Sequence, residues 1–196
     1  MLAARIVLAL QTVVSRENNP IEPIVVTVGS IHGGTQGNVI PDEVRLELSV
    51  RTNTPEVRTR TLAAIRRVSN GEAAAAGAPR PPQVEVRAGG TPPVYNDPPL
   101  TLRLAAALKK GLGDTNVVEM PQKMTSEDFA EYGLAGVPSA LLHVGAVDPV
   151  TLAAVRDTGI PLPAPHSPEW APERAPTIKG AIRAEVTALL ELFRGN

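Results

Sequence analysis

A chain of 196 residues with 43% hydrophobic and 20% charged residues is long enough to bury a sizeable core, in one domain or two small ones, and its composition excludes wholesale disorder. A formal net charge of -1 offers no basic surplus for phosphates, and no aromatic RNA-binding signature is present, so nucleic acid is excluded as an expected partner. Cysteine is absent, which removes disulfides, Cys-rich zinc sites and thiol nucleophiles together.

The apolar run Met1 to Leu10 is interrupted by Arg5, has no small-residue cleavage site behind it and is far short of the roughly 20 residues of a membrane span. Neither a signal peptide nor a membrane helix is expected, and the cytoplasm is the expected compartment. Leu2, Ile6, Leu10, Val13 and Val14 instead recur at helical spacing and predict an amphipathic helix ending near Asn18-Asn19-Pro20. The β-branched run Ile24 to Ile31 predicts a strand that enters a glycine-rich loop at His32-Gly33-Gly34. Val44, Leu46, Leu48 and Val50 alternate with polar residues and predict a second strand with one buried face. Thr54-Pro55-Glu56 reads as N-cap, first helical residue and acidic first turn of a helix whose core face is Val57, Leu62, Ile65 and Val68. Val84 to Arg87 is expected as a short last strand, giving the order α-β-β-α-β.

The Pro/Gly cluster Gly89 to Pro99 marks a boundary between residues 1–89 and 90–196. Beyond it the pattern predicts a helix over Leu100 to Leu112, a strand over Asn116 to Glu119, a short helix over Ser126 to Tyr132, a strand over Ser139 to Val144, a Pro-rich loop over Val147 to Pro172 and a final helix from about Glu173 to Phe193. Alternating strands and helices imply an α/β layer.

Three histidines are present. His143 falls inside an expected strand, where a lone histidine is more often a structural hydrogen-bonder than a ligand. His166 stands in Pro165-His166-Ser167-Pro168, where flanking prolines stiffen the backbone and lower the entropy lost in presenting an imidazole, as a metal ligand for example. Ser126-Glu127-Asp128 puts adjacent carboxylates at a helix start; capping is the simpler account, and metal ligation or general-base chemistry is the alternative. Asn38 follows a glycine-rich turn and Arg51 ends a strand. Either they are a turn asparagine and an exposed arginine, or they are polar groups aimed at a substrate carboxylate, to which arginine offers a bidentate fork.

Taken together, Leu10-Gln11-Thr12-Val13-Val14-Ser15-Arg16, the run Gly34 to Asp42 with its Gly37-Asn38-Val39-Ile40-Pro41-Asp42 ending, Val50-Arg51-Thr52, Ser126-Glu127-Asp128-Phe129 and His166-Ser167-Pro168 resemble the M20 family of metal-dependent amidohydrolases, nearest its hippurate and auxin-conjugate hydrolase branch. The resemblance implies an α+β lid domain of ferredoxin-like plan over residues 1–89 that lacks its first strand. It implies that residues 90–196 are the C-terminal part of an α/β metallo-hydrolase catalytic domain. It also implies a homodimer formed through the lid, a small N-acyl amino acid or related amide as substrate, and two divalent ions, zinc or manganese. His166 matches a metal-binding histidine, Asn38 and Arg51 match lid positions near the substrate carboxylate, and Ser126, Glu127 and Asp128 match a stretch near the metal cleft. The family's motif of two histidines around a cysteine and an aspartate is absent here, as are its Glu-Glu pair and its lid histidine. Only part of a catalytic site is therefore expected in this chain, and a non-catalytic dimerisation module is the alternative. A ferredoxin-like sheet without its central first strand would expose strand edges, so low solubility or oligomerisation is expected of the isolated chain.

Overall fold

The computed structural model describes residues 1–194, which fall into two compact units: Met1–Tyr95 with Gln122–Ala135, and Asn96–Pro121 with the chain from Gly136 on.

The first unit opens with helix α1, Leu2–Ser15, which buries Ile6, Leu10 and Val13 at a spacing of four and three residues. Leu2 is partly buried on the same face, whereas Val14, expected inside, is 37% exposed because it sits one step round the helix from Val13. Strands β1, Ile24–His32, and β2, Arg45–Thr52, pair antiparallel with Ile24 opposite Thr52 and His32 opposite Arg45. Gly29 is an unpaired extra residue between the pairs Val28–Leu48 and Ser30–Glu47, a bulge that puts Ile31 opposite Leu46 and lets the Ser30 hydroxyl donate to Glu47. Gly33 is dictated by space: a Cβ there would lie 2.8 Å from Val44 Cγ2 and 3.0 Å from the Glu43 carbonyl oxygen.

Helix α2, Pro55–Ala75, begins as the sequence signals, with the Thr54 side chain accepting the Val57 amide and proline at the first turn. Its buried face, Val57, Thr61, Ala64, Ile65, Ser69 and Ala73, is richer in small residues than expected, which lets α1 and α2 lie close together. Leu62 and Val68 flank that face, partly buried. Both helices contact the sheet, and Ile6, Leu10, Val13, Ile24, Val26, Val57 and Ile65 form one apolar cluster between them. Replacing Thr54 by alanine is expected to cost about 1 kcal/mol through loss of the cap, readable as a lower urea midpoint at unchanged slope.

The expected strand Val84 to Arg87 is not one. It forms no ladder among the described residues, since proline at 81 and 82 brings no amide hydrogen and no strand lies beside it to pair with. Val84 is held by packing against the apolar cluster, and Arg87 by an ion pair to Glu47 of 3.0 Å. The Arg45 and Arg87 guanidinium groups beside Glu47 hold its carboxyl below the ordinary glutamate value of 4.5. A depressed folded value means that the pairing contributes above 4.5 and is lost as pH falls through the lowered value. An NMR titration of Glu47 is expected to show that low midpoint, and Arg87→Ala to move it back toward 4.5.

In the second unit, helix α3, Pro98–Leu112, is capped by Asp97, whose carboxylate accepts the Leu100 amide. It buries Leu104 and Leu108 and packs on the last helix, α6, Arg174–Phe193. The strands expected over Asn116 to Glu119 and Ser139 to Val144 are also corrected. The first is replaced by a single 3-10 turn, Asp114–Asn116, and an unpaired run. The second is held by Asn96, which donates to the Leu141 carbonyl at 3.0 Å and accepts its amide at 2.8 Å, and by the Asp97 amide on the Ser139 carbonyl. One asparagine supplies two bonds of a ladder without the rest of a strand. Two-stranded β1-β2 is thus the sheet seen among the described residues, not an α/β layer in the second half.

The Pro-rich loop expected over Val147 to Pro172 contains a helix, α5, Pro149–Thr158. Asp148 caps it by accepting the Val150 and Thr151 amides, and Gly159 closes it at φ +70°. No helix among the described residues is long and apolar enough to cross a membrane.

Candidate functional site

Arg51 lies at the Ile24–Thr52 end of the ladder, exposed, with its Nη1 donating to the Met124 carbonyl at 2.8 Å. That bond joins the end of β2 to the stretch carrying Ser126, Glu127 and Asp128. The helix expected over Ser126 to Tyr132 starts later, as α4, Ala130–Leu134, and is preceded by a turn in which the Ala130 and Glu131 amides bond the Glu127 and Asp128 carbonyls. The capping expected of Thr125 or Ser126 is not made, since the helix has no side-chain cap. Glu127 Oε1 accepts the Asp128 amide at 3.2 Å, and Ser126, Glu127 and Asp128 are all exposed. The Phe129 and Tyr132 rings meet at a tilt of 56°, centroids 5.4 Å apart.

Asn38 sits in the β1–β2 connection, in a turn where the Val39 amide reaches the Gln36 carbonyl. That connection leaves the ladder at His32 and returns at Arg45, so Arg51 stands six residues further along β2, roughly 20 Å at strand rise. Arg51 is therefore brought to the Ser126–Asp128 stretch, and Asn38 is carried by the opposite end of the hairpin.

His166 is exposed in the second unit, in a turn closed by the Ser167 amide on the Ala164 carbonyl. Pro165 occupies the second position of that turn, where its fixed φ is preferred. The Ser167 hydroxyl in turn bonds Glu169 and holds that carboxyl below its ordinary value. His143 is also exposed, on the unladdered segment rather than in a strand. A shallow pocket of about 190 Å³ lies near this turn, lined by Asp148, Leu162, Trp170 and Glu173 among others. It is smaller than the roughly 300 Å³ at which small-molecule pockets begin. Asp148 is held below its ordinary value chiefly by its bonds to Thr151.

Among the described residues, no three His, Asp or Glu side chains converge so as to hold a metal ion. A hydrolytic two-metal centre needs several ligands around each ion and a base for the bound water, and His166 by itself does not fit that need. Sequence reasoning missed the Met124 carbonyl as the partner of Arg51, and no local signal could have revealed a bond across 73 positions. It also missed α5, whose Asp148-Pro149 start and Gly159 stop were legible.

Residues 1–76 match the family model of the peptidase dimerisation domain of M20 type. The chain is 38% identical over 148 residues to the N-acetyldiaminopimelate deacetylase of Leuconostoc citreum, a match covering 76% of this chain and 37% of that protein. It is 34% identical over 190 residues to the N-acetyldiaminopimelate deacetylase of Streptococcus uberis, covering 96% of this chain and 45% of that one. A crystal structure from methicillin-resistant Staphylococcus aureus, of a chain assigned as an aminohydrolase, superposes with a TM-score of 0.76 at 30% identity over 97% of this chain and 45% of its own. The YXEP protein of Bacillus subtilis, a dinuclear metal-binding peptidase of the M20 family, shares the fold at a TM-score of 0.64 and 23% identity over the same shares. The chain spans less than half the length of these relatives.

Proposed function

We propose, on the premise that residues 1–76 form an M20 peptidase dimerisation domain, that the chain is the C-terminal portion of a metal-dependent amidohydrolase that cleaves N-acyl amino acids or related amides by metal-activated water. The observation that carries this reading is the match to the Streptococcus uberis deacetylase, which runs through 96% of the chain at 34% identity. In this reading residues 1–89 are the lid that pairs two copies into a homodimer, and residues 90–196 are the end of the catalytic domain. Zinc or manganese, two ions in the whole protein, would polarise the scissile carbonyl and supply the hydrolytic water.

Arg51 binds the substrate carboxylate. One of its five N–H donors is taken by Met124, which fixes the guanidinium plane and leaves others free for a bidentate contact. Asn38, at the opposite end of the hairpin, adds its amide donor to the carboxylate held in the partner copy of the homodimer, and His166 supplies one metal ligand. Ser126, Glu127 and Asp128 line the cleft, with no single role assigned to any of them. The isolated chain is inactive in this reading, for want of the remaining ligands and the general base. The missing ligand cluster also favours a second reading, a non-catalytic dimerisation module.

The test compares the chain alone with the same chain fused behind the N-terminal portion of the Streptococcus uberis deacetylase. Each is assayed with N-acetyldiaminopimelate and a panel of N-acyl amino acids, in zinc or manganese. Turnover by the fusion and none by the chain alone is expected. Robust turnover by the chain alone would overturn the incompleteness, and a dimeric but inactive fusion would leave the module reading.

A further inference from the structure

The stretch Pro79 to Tyr95 joins α2 to the start of α3 and is neither helix nor strand. Among the described residues, none of its backbone groups gives or accepts a backbone hydrogen bond. Val84 packs on the apolar cluster, and Arg87 pairs with Glu47 at 3.0 Å. An endoprotease adds its substrate to its own edge as an extended strand, so it needs backbone groups that are not already paired. This stretch offers them.

Arginine marks one bond within it. The other arginines of the described residues stand in helices, in β2 or at the helix C-caps Arg16 and Arg194, except Arg80. Arg80 is followed by Pro81, whose ring crowds the nitrogen that would have to leave. Arg87 is followed by Ala88, Gly89 and Gly90, and its side chain is 79% exposed. Gly89 lies at φ +81°, a bend that glycine can straighten without strain when a protease draws the segment out.

A protease that selects a basic side chain meets it with a carboxylate in its own pocket. In this chain Glu47 already holds the Arg87 guanidinium, and it is itself fixed by Arg45 at 3.1 Å and by the Ser30 hydroxyl at 3.3 Å. The two carboxylates compete for one guanidinium.

We propose that Arg87–Ala88 is a latent processing site, the bond at which an endoprotease of arginine specificity first divides this chain, and that Glu47 masks it by occupying the guanidinium. In the cut, the oxygen of a water joins the Arg87 carbonyl carbon and the C–N bond breaks. Its electron pair stays on the Ala88 nitrogen, which takes a proton from that water. Residues 1–87, with the matched dimerisation region 1–76, are thereby severed from the chain that begins at Ala88 and carries α3 and α6. Every member of the apolar cluster, Val84 included, lies before the cut, so that portion keeps its core. None of this depends on the amidohydrolase reading.

The full chain is digested with a limiting amount of an arginine-specific endoprotease at neutral pH and followed by mass spectrometry. Fragments 1–87 and 88–196 are expected as the first products, with the helical circular dichroism signal retained. Arg87→Lys, which keeps the charge, is expected to remove that cut. Glu47→Gln, which keeps an acceptor for Ser30, is expected to speed it about two- to fivefold, the range that an exposed ion pair supports. Sodium chloride at about 0.5 M screens the pair and is expected to accelerate the parent relative to Glu47→Gln. A first cut after any other arginine would overturn the site. Equal rates for parent and Glu47→Gln, or the same salt response in both, would overturn the mask.

Discussion

In the fusion protein, His166→Ala is expected to lower turnover on the order of 100-fold or more and to reduce the bound metal measured on the purified protein. Residues that merely orient metal ligands are worth 10–100-fold, and removal of a ligand should cost at least that. The proposed assignment draws on the local structure. Pro165 fixes the backbone entering the turn, the Ser167 amide closes it on Ala164, and the imidazole is presented to solvent rather than packed. His143→Ala, on the unladdered segment, is expected to leave both readouts near those of the parent. Unchanged turnover and metal content in His166→Ala would remove this residue from the metal site and, with it, the strongest single position in the catalytic reading.

The largest effect on stability is expected from Leu10→Ala. Leu10 is 1% exposed, at the centre of the cluster that joins α1, α2 and the sheet. Truncating a leucine so placed removes its transfer free energy and leaves a cavity, together costing about 3 to 4 kcal/mol. That is a large part of the roughly 5–15 kcal/mol available to a whole domain, and a two-stranded sheet leaning on two helices has little to spare. Urea unfolding followed by circular dichroism is expected to show a markedly lower midpoint or no cooperative transition. Leu8→Ala, on the same helix but 72% exposed, should move it by no more than about 0.5 kcal/mol. Equal effects at the two positions would mean that the face of α1 is wrongly placed.

In the proposed reading, stability and substrate binding draw on different residues of the first unit. The cluster around Leu10 holds the sheet to its helices, and Arg51, exposed at the end of that sheet, is then free to reach Met124 and still present donors. The charge pairs on the surface, Arg5 with Glu72 and Arg60 with Glu22, join α1, α2 and the connection between helix and strand, but each has an exposed arginine and adds little to stability.

The sequence by itself determined the helices that carry their own signals. Thr54-Pro55 starts α2, the spacing of Ile6, Leu10 and Val13 sets the face of α1, and Leu46, Leu48 and Val50 lie on the half-buried face of β2 as their alternation predicts, although Val44 falls outside the strand and is 38% exposed. It also held the motifs whose order points to the amidohydrolase family, with His166, Asn38 and Arg51 among them. A helix closes its hydrogen bonds within four residues, and a hairpin closes its own across one short connection, so both are legible locally.

Only the tertiary structure decided whether an extended segment becomes a strand. Val84 to Arg87, Asn116 to Glu119 and Ser139 to Val144 all have the composition of strands, yet none pairs in a ladder among the described residues. A strand's hydrogen bonds belong to its neighbour, and composition does not record whether that neighbour is there. The same reason separates Asn38 from Arg51. Their spacing of thirteen positions suggests a pair, but the register of the hairpin sends one to each end of the ladder and ties Arg51 instead to Met124, 73 positions away.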